Sequence, residues 1–244
     1  MAKMRIHKTR LIFWLSMLLV LLLPCEYAYA ERRSPSNKSG LSRESFPHGF
    51  VFGTATSAFQ VEGMTDKDGR GPSIWDTFIK QPGIVVDNST PAVTVDQYHL
   101  YKQDIDLMKD LNFDAYRFSI SWSRIFPNGT GEVNWKGVDY YNRLINYMLK
   151  SGMDDPGNVT FPKALLDTTR VKYYEGYLSE LNKAINEGAN VGGYFAWSLL
   201  DNFEWRLGFT SRFGIIYVDY KTLKRYPKKS AYWFKGLLNQ HSKH

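Results

Sequence analysis

The chain has 244 residues, 43% hydrophobic and 16% aromatic, with 23% charged residues, a single cysteine and a formal net charge of +7. That composition excludes a disordered, collagen-like or disulfide-stapled protein and fits one large domain or two small ones. Residues 1–30 hold four basic side chains against Glu26 alone, and the remainder carries 27 basic and 23 acidic residues, so most of the excess charge is not a nucleic-acid-binding face.

The first element is a secretory signal. Residues 1–10 are basic, an apolar run follows from Leu11 to Leu23, and Ala28-Tyr29-Ala30 supplies a small-residue cleavage pattern. That thirteen-residue run, broken only by Ser16, is too short for a membrane span, which needs about 20 residues. Cleavage after Ala30 removes Cys25, so the mature chain has no disulfide, thiolate nucleophile or zinc-thiolate site. No cofactor or metal is implied. Four Asn-x-Ser/Thr sequons, at Asn37, Asn88, Asn128 and Asn158, accord with export. The expected location is the secretory pathway, extracellular or apoplastic first, with vacuole or ER body as alternatives, and no membrane span remains once the signal is gone.

Residues 31–45 are polar and read as a mobile N-terminal arm. Structured sequence starts at Phe46. Residues 50–55 read as a buried strand. Thr94 and Gln97 form a capping-box start to a helix that carries Tyr98, Tyr101, Ile105, Met108 and Leu111 at helical spacing. Residues 115–122 are a second strand candidate. A second helix presents Val138, Tyr141, Ile145 and Met148 and ends at Gly152. A third, after Asp167, places Val171, Tyr174, Leu178, Leu181 and Ile185 on one face and stops at Gly188. Residues 192–200 are almost wholly apolar, as in a strand covered on both faces. Strands alternating with amphipathic helices predict an α/β fold with a parallel sheet.

Common catalytic signatures are missing. There is no G-x-G-x-x-G, Walker loop, H-E-x-x-H or G-x-S-x-G. His48 and His99 are unclustered, and Lys221, Lys224, Arg225, Lys228 and Lys229 read as a solvated basic face. What remains suits a carbohydrate, whose apolar ring faces and hydroxyl rims need flat aromatics beside carboxylates and amides. Two segments have that character. One is Ser57-Ala58-Phe59-Gln60-Val61-Glu62-Gly63, after the first strand. The other runs from Phe195-Ala196-Trp197-Ser198 through Asp201-Asn202-Phe203-Glu204-Trp205. Both lie at C-terminal strand ends, where barrel enzymes build their sites. On composition alone a second reading stays open, in which the tryptophans are core and Glu204 is a surface charge.

At these residues the sequence resembles plant β-glucosidases of glycoside hydrolase family 1. The likeness rests on the run from Phe52-Gly53-Thr54-Ala55 to Gly63, on Tyr116-Arg117-Phe118-Ser119-Ile120-Ser121-Trp122-Ser123-Arg124, on Tyr194 through Trp205, and on Ser211-Arg212-Phe213-Gly214. The family fold is a (β/α)₈ TIM barrel. The resemblance implies that Gln60 bonds the sugar's 3- and 4-hydroxyls, that Trp197 supports the ring, that Trp205 donates to a hydroxyl, that Glu204 takes the 4- and 6-hydroxyls, and that Phe213 walls the pocket. It places Arg117 beside the family's nucleophile.

The family's two catalytic glutamates sit in T-x-N-E-P and T-E-N-G, and neither string occurs here. Residues 46–152 match the N-terminal part of the barrel and 153–244 its C-terminal part, so barrel strands 1, 2 and 8 are expected and 3–7 are not. No catalytic residue is assigned. Glu62 and Glu204 are the obvious substitutes, yet by resemblance neither attacks the anomeric carbon. The expectation is an inactive, internally deleted β-glucosidase that still meets a β-glucoside or glucose. Its alternative is a non-catalytic sugar-binding or interaction protein, with association with full-length homologues as a further partner. No nucleic-acid partner is expected.

Overall fold

The computed structural model describes residues 40–150 and 165–239. By contacts the chain divides into Met1–Arg33 and Ser34–His244, and every described residue belongs to the second unit. The predicted signal, residues 31–39 of the arm, the helix end at Gly152 and the sequons at Asn37 and Asn158 lie outside the described residues. Among the described residues no helix is long and apolar enough to cross a membrane.

Three parallel strands form the central sheet: β1 (Val51–Ala55), β2 (Ala115–Arg117) and β3 (Gly193–Trp197), in the order β2-β1-β3. In register, Ala55 opposes Arg117 on one side and Trp197 on the other. The chain's last parallel strand thus lies beside its first, and helices follow the strands. This is the closing arc of an incomplete (β/α)₈ barrel. After β1 come the short helices α1 (Ala58–Val61) and α2 (Ile74–Phe78), then α3 (Gln97–Asp110). After β2 come α4 (Trp122–Ile125), α5 (Trp135–Lys150) and α6 (Thr168–Asn186). Beyond β3 an antiparallel pair, β4 (Ile216–Val218) and β5 (Arg225–Pro227), leads to α7 (Lys229–Leu238).

One face of the sheet is packed and the other open. Phe52, Thr54 and Ala196 point to the helix side and are fully buried. The rings of Phe46, Phe50 and Phe52 meet there at 4.8–5.1 Å. α3 buries Tyr98, Tyr101, Ile105 and Met108, and Tyr98 stacks on Tyr140 of α5 at 4.5 Å. α6 buries Val171, Tyr174 and Leu178 near Trp233 and Phe234 of α7. On the opposite face Phe195 is 44% and Trp197 37% exposed. In a closed barrel that face is filled by side chains from the other strands. Three strands leave it uncovered, so the expectation of a strand buried on both faces is corrected.

Several local expectations also change. β2 stops at Arg117 instead of running to residue 122, because its far edge has no neighbouring strand among the described residues. Residues beyond it bond other elements, Ser119 Oγ accepting from Ala58 N–H and Tyr141 Oη from Ser121 N–H. The Thr94–Gln97 capping box does not form. Asp96, at φ +51°, is the N-cap, and the Gln97 amide turns instead to Asp104 and Tyr116. On α5 the buried face is Tyr140, Tyr141 and Leu144, while Ile145 is exposed. Gly137 explains the rotation, since any Cβ there would sit 2.2 Å from the Arg124 carbonyl oxygen. The end of the predicted arm is docked: Leu41 is buried and Arg43 binds Asp114 at 2.7 Å.

Candidate functional site

Because β1 and β3 are adjacent, the segments leaving their C-terminal ends converge. The single turn of α1 carries Gln60 inward, where it is 1% exposed. Its Nε2 donates to Asn202 Oδ1 at 2.9 Å, to the Phe203 carbonyl at 3.1 Å and to Glu204 Oε2 at 3.1 Å. The Phe203 N–H returns a bond to the Gln60 carbonyl at 3.2 Å. Asn202 is fixed in turn, its Nδ2 donating to Ser198 Oγ at 3.1 Å and to the Leu200 carbonyl at 2.9 Å. The Trp197–Ser198 peptide leading into this segment is cis.

Glu204 is therefore held from one side only. Oε2 receives Gln60, while Oε1 is buried and receives no hydrogen bond among the described residues. Burial raises its carboxyl to about 7, against the lowering effect of the Gln60 hydrogen bond and of the nearby Asn202 amide, and with a further push from Asp201. A buried acceptor with an idle lone pair is uncommon in a folded protein. Here it marks the point where a hydroxyl donor would be satisfied.

Flat aromatics flank the carboxylate. Trp205, at φ +50°, stacks on Phe59 at 5.7 Å with 9° between planes and meets Trp75 at 4.2 Å. A bulky residue in the left-handed region is held there by its surroundings. Trp197 and Phe213 are both exposed, and the Phe213 carbonyl accepts from Ser198 N–H at 3.3 Å. Arg117 sits apart. It opposes Ala55 across β1 from Trp197, which sets their Cα atoms about 10 Å apart. Its side chain is exposed and makes no ion pair among the described residues. Gln60 and Glu204 are thus brought together and Trp205, next in sequence to Glu204, stacks on Phe59; Trp197 and Phe213 connect to them through Ser198, and Arg117 is not part of the cluster.

The other buried carboxylates near these elements are committed elsewhere. Glu62 accepts from Arg124 Nε at 3.0 Å and Tyr141 Oη at 2.6 Å. Burial raises its carboxyl, and Arg124 opposes that shift. Asp201, fully buried, takes Lys228 Nζ at 2.7 Å, Arg212 Nη1 at 2.8 Å and the Gly214 N–H at 3.1 Å. Arg225 likewise pairs with buried Asp104 at 2.9 Å. Two of the five predicted surface cations, Arg225 and Lys228, are therefore buried counter-ions, and the reading of a wholly solvated face is corrected. Among the described residues no group of three or more His, Cys, Asp or Glu is placed to hold a metal ion.

The sequence assigns roles to the glutamate and tryptophans, includes Asp201 and Asn202 in the second segment without a role of their own, and gives none to Trp75. A clue to Asp201 and Asn202 was available, since two polar residues closing an apolar run must find partners when the run is buried. Trp75 had only its Ser73–Asp76 capping box as a signal.

With that geometry in view, comparison with known proteins is specific. The Glycosyl hydrolase family 1 model matches residues 42–161 and again 152–243. Beta-glucosidase 44 of Arabidopsis thaliana is 31% identical over 502 residues, covering 93% of this chain and 98% of that protein. That alignment is more than twice as long as the chain, so it bridges a long interior stretch with no counterpart here. Beta-glucosidase 34 of Oryza sativa subsp. japonica is 62% identical over 115 residues, 47% of this chain and 22% of that protein. Among solved structures, a rice beta-glucosidase superposes with a TM-score of 0.76 at 24% identity, covering 82% of this chain and all of that one.

Proposed function

The chain belongs to glycosyl hydrolase family 1, and from that membership we propose that it is a hydrolytically silent relative of the β-glucosidases that keeps the sugar-binding end of the pocket. The observation that carries this reading is the Gln60–Glu204 pair with the Oε1 acceptor left over. The pair is built from β1, β3 and the segments that follow them, neighbours in the sheet, so it does not depend on barrel strands 3–7. Gln60 and Glu204 can meet adjacent hydroxyls of a glucose ring, and Trp197, Trp205 and Phe213 offer apolar surface to its faces. A carboxylate at this position disfavours a phosphorylated sugar through like-charge repulsion.

Hydrolysis with retention needs two carboxyl groups about 5–5.5 Å apart, one as acid/base and one as nucleophile. The buried carboxylates that could serve Glu204 as a partner are committed elsewhere, Glu62 to Arg124 and Asp201 to Lys228 and Arg212. The sequence lacks both family strings that carry the catalytic glutamates. Binding without bond cleavage is the chemistry these groups support. The leader at residues 1–30 directs the chain into the secretory pathway, with the extracellular space favoured over vacuole or ER body. Association with full-length homologues, through the open sheet face and the edges of β2 and β3, is a secondary reading.

The test is calorimetric titration of the purified chain with gluconolactone, beside an assay on an aryl β-glucoside. Binding that is lost in Glu204→Gln and Gln60→Ala, with no turnover, is the expected result. Turnover of roughly 1 per second or faster, abolished by Glu204→Gln, would overturn silence. A cooperatively folded chain that ignores the lactone would overturn sugar binding.

A further inference from the structure

A second carbohydrate-related feature lies away from the β1–β3 site. The turn after α4 has the sequence Phe126-Pro127-Asn128-Gly129-Thr130, and Gly129 N–H closes it on the Phe126 carbonyl at 2.9 Å. Pro127 suits the first central position of such a turn, and Gly129 takes the left-handed conformation at φ +84°. The indole of Trp122 donates to the Gly129 carbonyl at 2.8 Å and contacts the Phe126 ring at 4.8 Å, clamping the turn from outside the core. Asn128 and Thr130 are both exposed, and no protein group among the described residues bonds the Asn128 amide.

Beside this turn is an open groove of about 450 Å³ whose lining includes Asn128, Asp68, Glu132, Trp135 and Lys136. Its floor is fixed, because Asn134 Nδ2 donates to the Asp68 carbonyl at 2.8 Å and to the Arg124 carbonyl at 3.0 Å. Trp135 is 69% exposed and lines the groove, so its indole offers a flat apolar face beside Asn128. The other described sequon, Asn88, is also exposed, but it stands at φ +55° beside the Asp87 carboxylate and does not line this groove.

We propose that Asn128 is an N-glycosylated residue and that the groove against Trp135 receives the first N-acetylglucosamine of its glycan. The proposal rests on entry into the secretory pathway. In the transfer, the Asn128 amide nitrogen forms a bond to the anomeric carbon of a lipid-pyrophosphate-linked oligosaccharide. The anomeric C–O bond breaks, the lipid pyrophosphate leaves with its electron pair, and the amide's displaced proton passes to solvent. The sugar's apolar face then lies on the Trp135 indole, while Asp68, Glu132 and Lys136 border its hydroxyls and acetamido group. Thr130 supplies the sequon hydroxyl.

The experiment expresses the whole chain in a eukaryotic secretory host, once behind its own leader and once behind a heterologous one. Site occupancy is read by mass spectrometry, and the rate of glycan release by an endoglycosidase is compared for native and denatured protein. Asn128 is expected to be occupied, with native release about 5-fold slower than denatured release, the size of a single aromatic stacking contact. Trp135→Ala is expected to keep occupancy and lose the protection, and Trp135→Tyr to restore it. An empty Asn128 behind the heterologous leader overturns the assignment. Equal release from native and denatured chains, or protection that survives Trp135→Ala, overturns the docking. Occupancy behind the heterologous leader but not behind the native one rejects the leader alone and upholds the acceptor.

Discussion

Arg124 and Glu62, 62 residues apart in the chain, form an ion pair at 3.0 Å with both side chains almost wholly buried. The guanidinium also donates to the Gly63 carbonyl and stands over the Tyr98 ring, while Tyr141 serves the other oxygen of Glu62. One pair thereby joins the end of α1 to α3, α4 and α5. Removing one partner of a buried pair strands the other charge, which costs about 3–5 kcal/mol. Arg124→Leu should lower unfolding stability by that order in urea titration, and Arg124→Leu with Glu62→Leu should regain much of the loss. A single-variant loss below about 1 kcal/mol would show that the pair is not sealed from water.

Gly53 illustrates a different constraint. A Cβ at this position would lie 2.3 Å from the Phe195 ring and 2.9 Å from the Ala115 carbonyl oxygen. The glycine lets the Phe195 ring lie on the sheet in the absence of barrel-filling neighbours. Gly53→Ala should destabilise by about 1–3 kcal/mol through overpacking. Phe195→Ala alone should cost less, because the ring is 44% exposed, and should relieve part of the Gly53→Ala penalty. Additive thermal shifts in the double variant would contradict this account.

Asp167 directly precedes its own helix, as the sequence predicts, but makes no side-chain cap there. Its carboxylate reaches instead to α7, accepting from Ser230 N–H at 2.8 Å and Ser230 Oγ at 2.6 Å. It therefore caps a helix that begins more than sixty residues later. Asp167→Ala should cost about 1 kcal/mol, in the range of other cap deletions. The loss should be localised, with faster amide exchange in the first turn of α7 and little change in α6.

The parallel architecture was legible because long helices carry 3.6-residue periodicity, as α3 does with Tyr98, Tyr101, Ile105 and Met108. Pairing was not. Nothing local in residues 216–227 announces the β4–β5 hairpin, whose connection turns on Asp219 accepting from Lys221 and Thr222 backbone N–H groups and on Leu223 at φ +58°. Burial of Arg225 and Lys228 was hidden for the same reason: their partners, Asp104 and Asp201, are remote in sequence. At the site, Gln60 and Glu204 could be named from chemistry and resemblance. The amide of Asn202 that completes their network depends on the fold of residues 198–204.

Glu204 gives the site a predictable response to pH. Its carboxyl titrates near 7 when folded, against an unperturbed value of 4.5. Between those values the folded state binds the proton more readily than the unfolded chain, so this group's contribution to stability is full below pH 4.5 and falls as pH rises through 7. Glu204→Gln should therefore be the more stable protein at pH 8, by on the order of 1 kcal/mol once solvent screening is allowed for, with the difference fading by pH 5. Ligand binding should run the opposite way. An ionised carboxylate is the stronger hydroxyl acceptor, so gluconolactone affinity should rise between pH 5.5 and 8 in the wild-type chain. The slope should vanish in Glu204→Gln, whose amide does not titrate. Paired melting and titration curves at pH 5.5, 7 and 8 measure both trends on one preparation. A wild-type affinity independent of pH would remove Glu204 from the ligand's contacts even if its effect on stability remained.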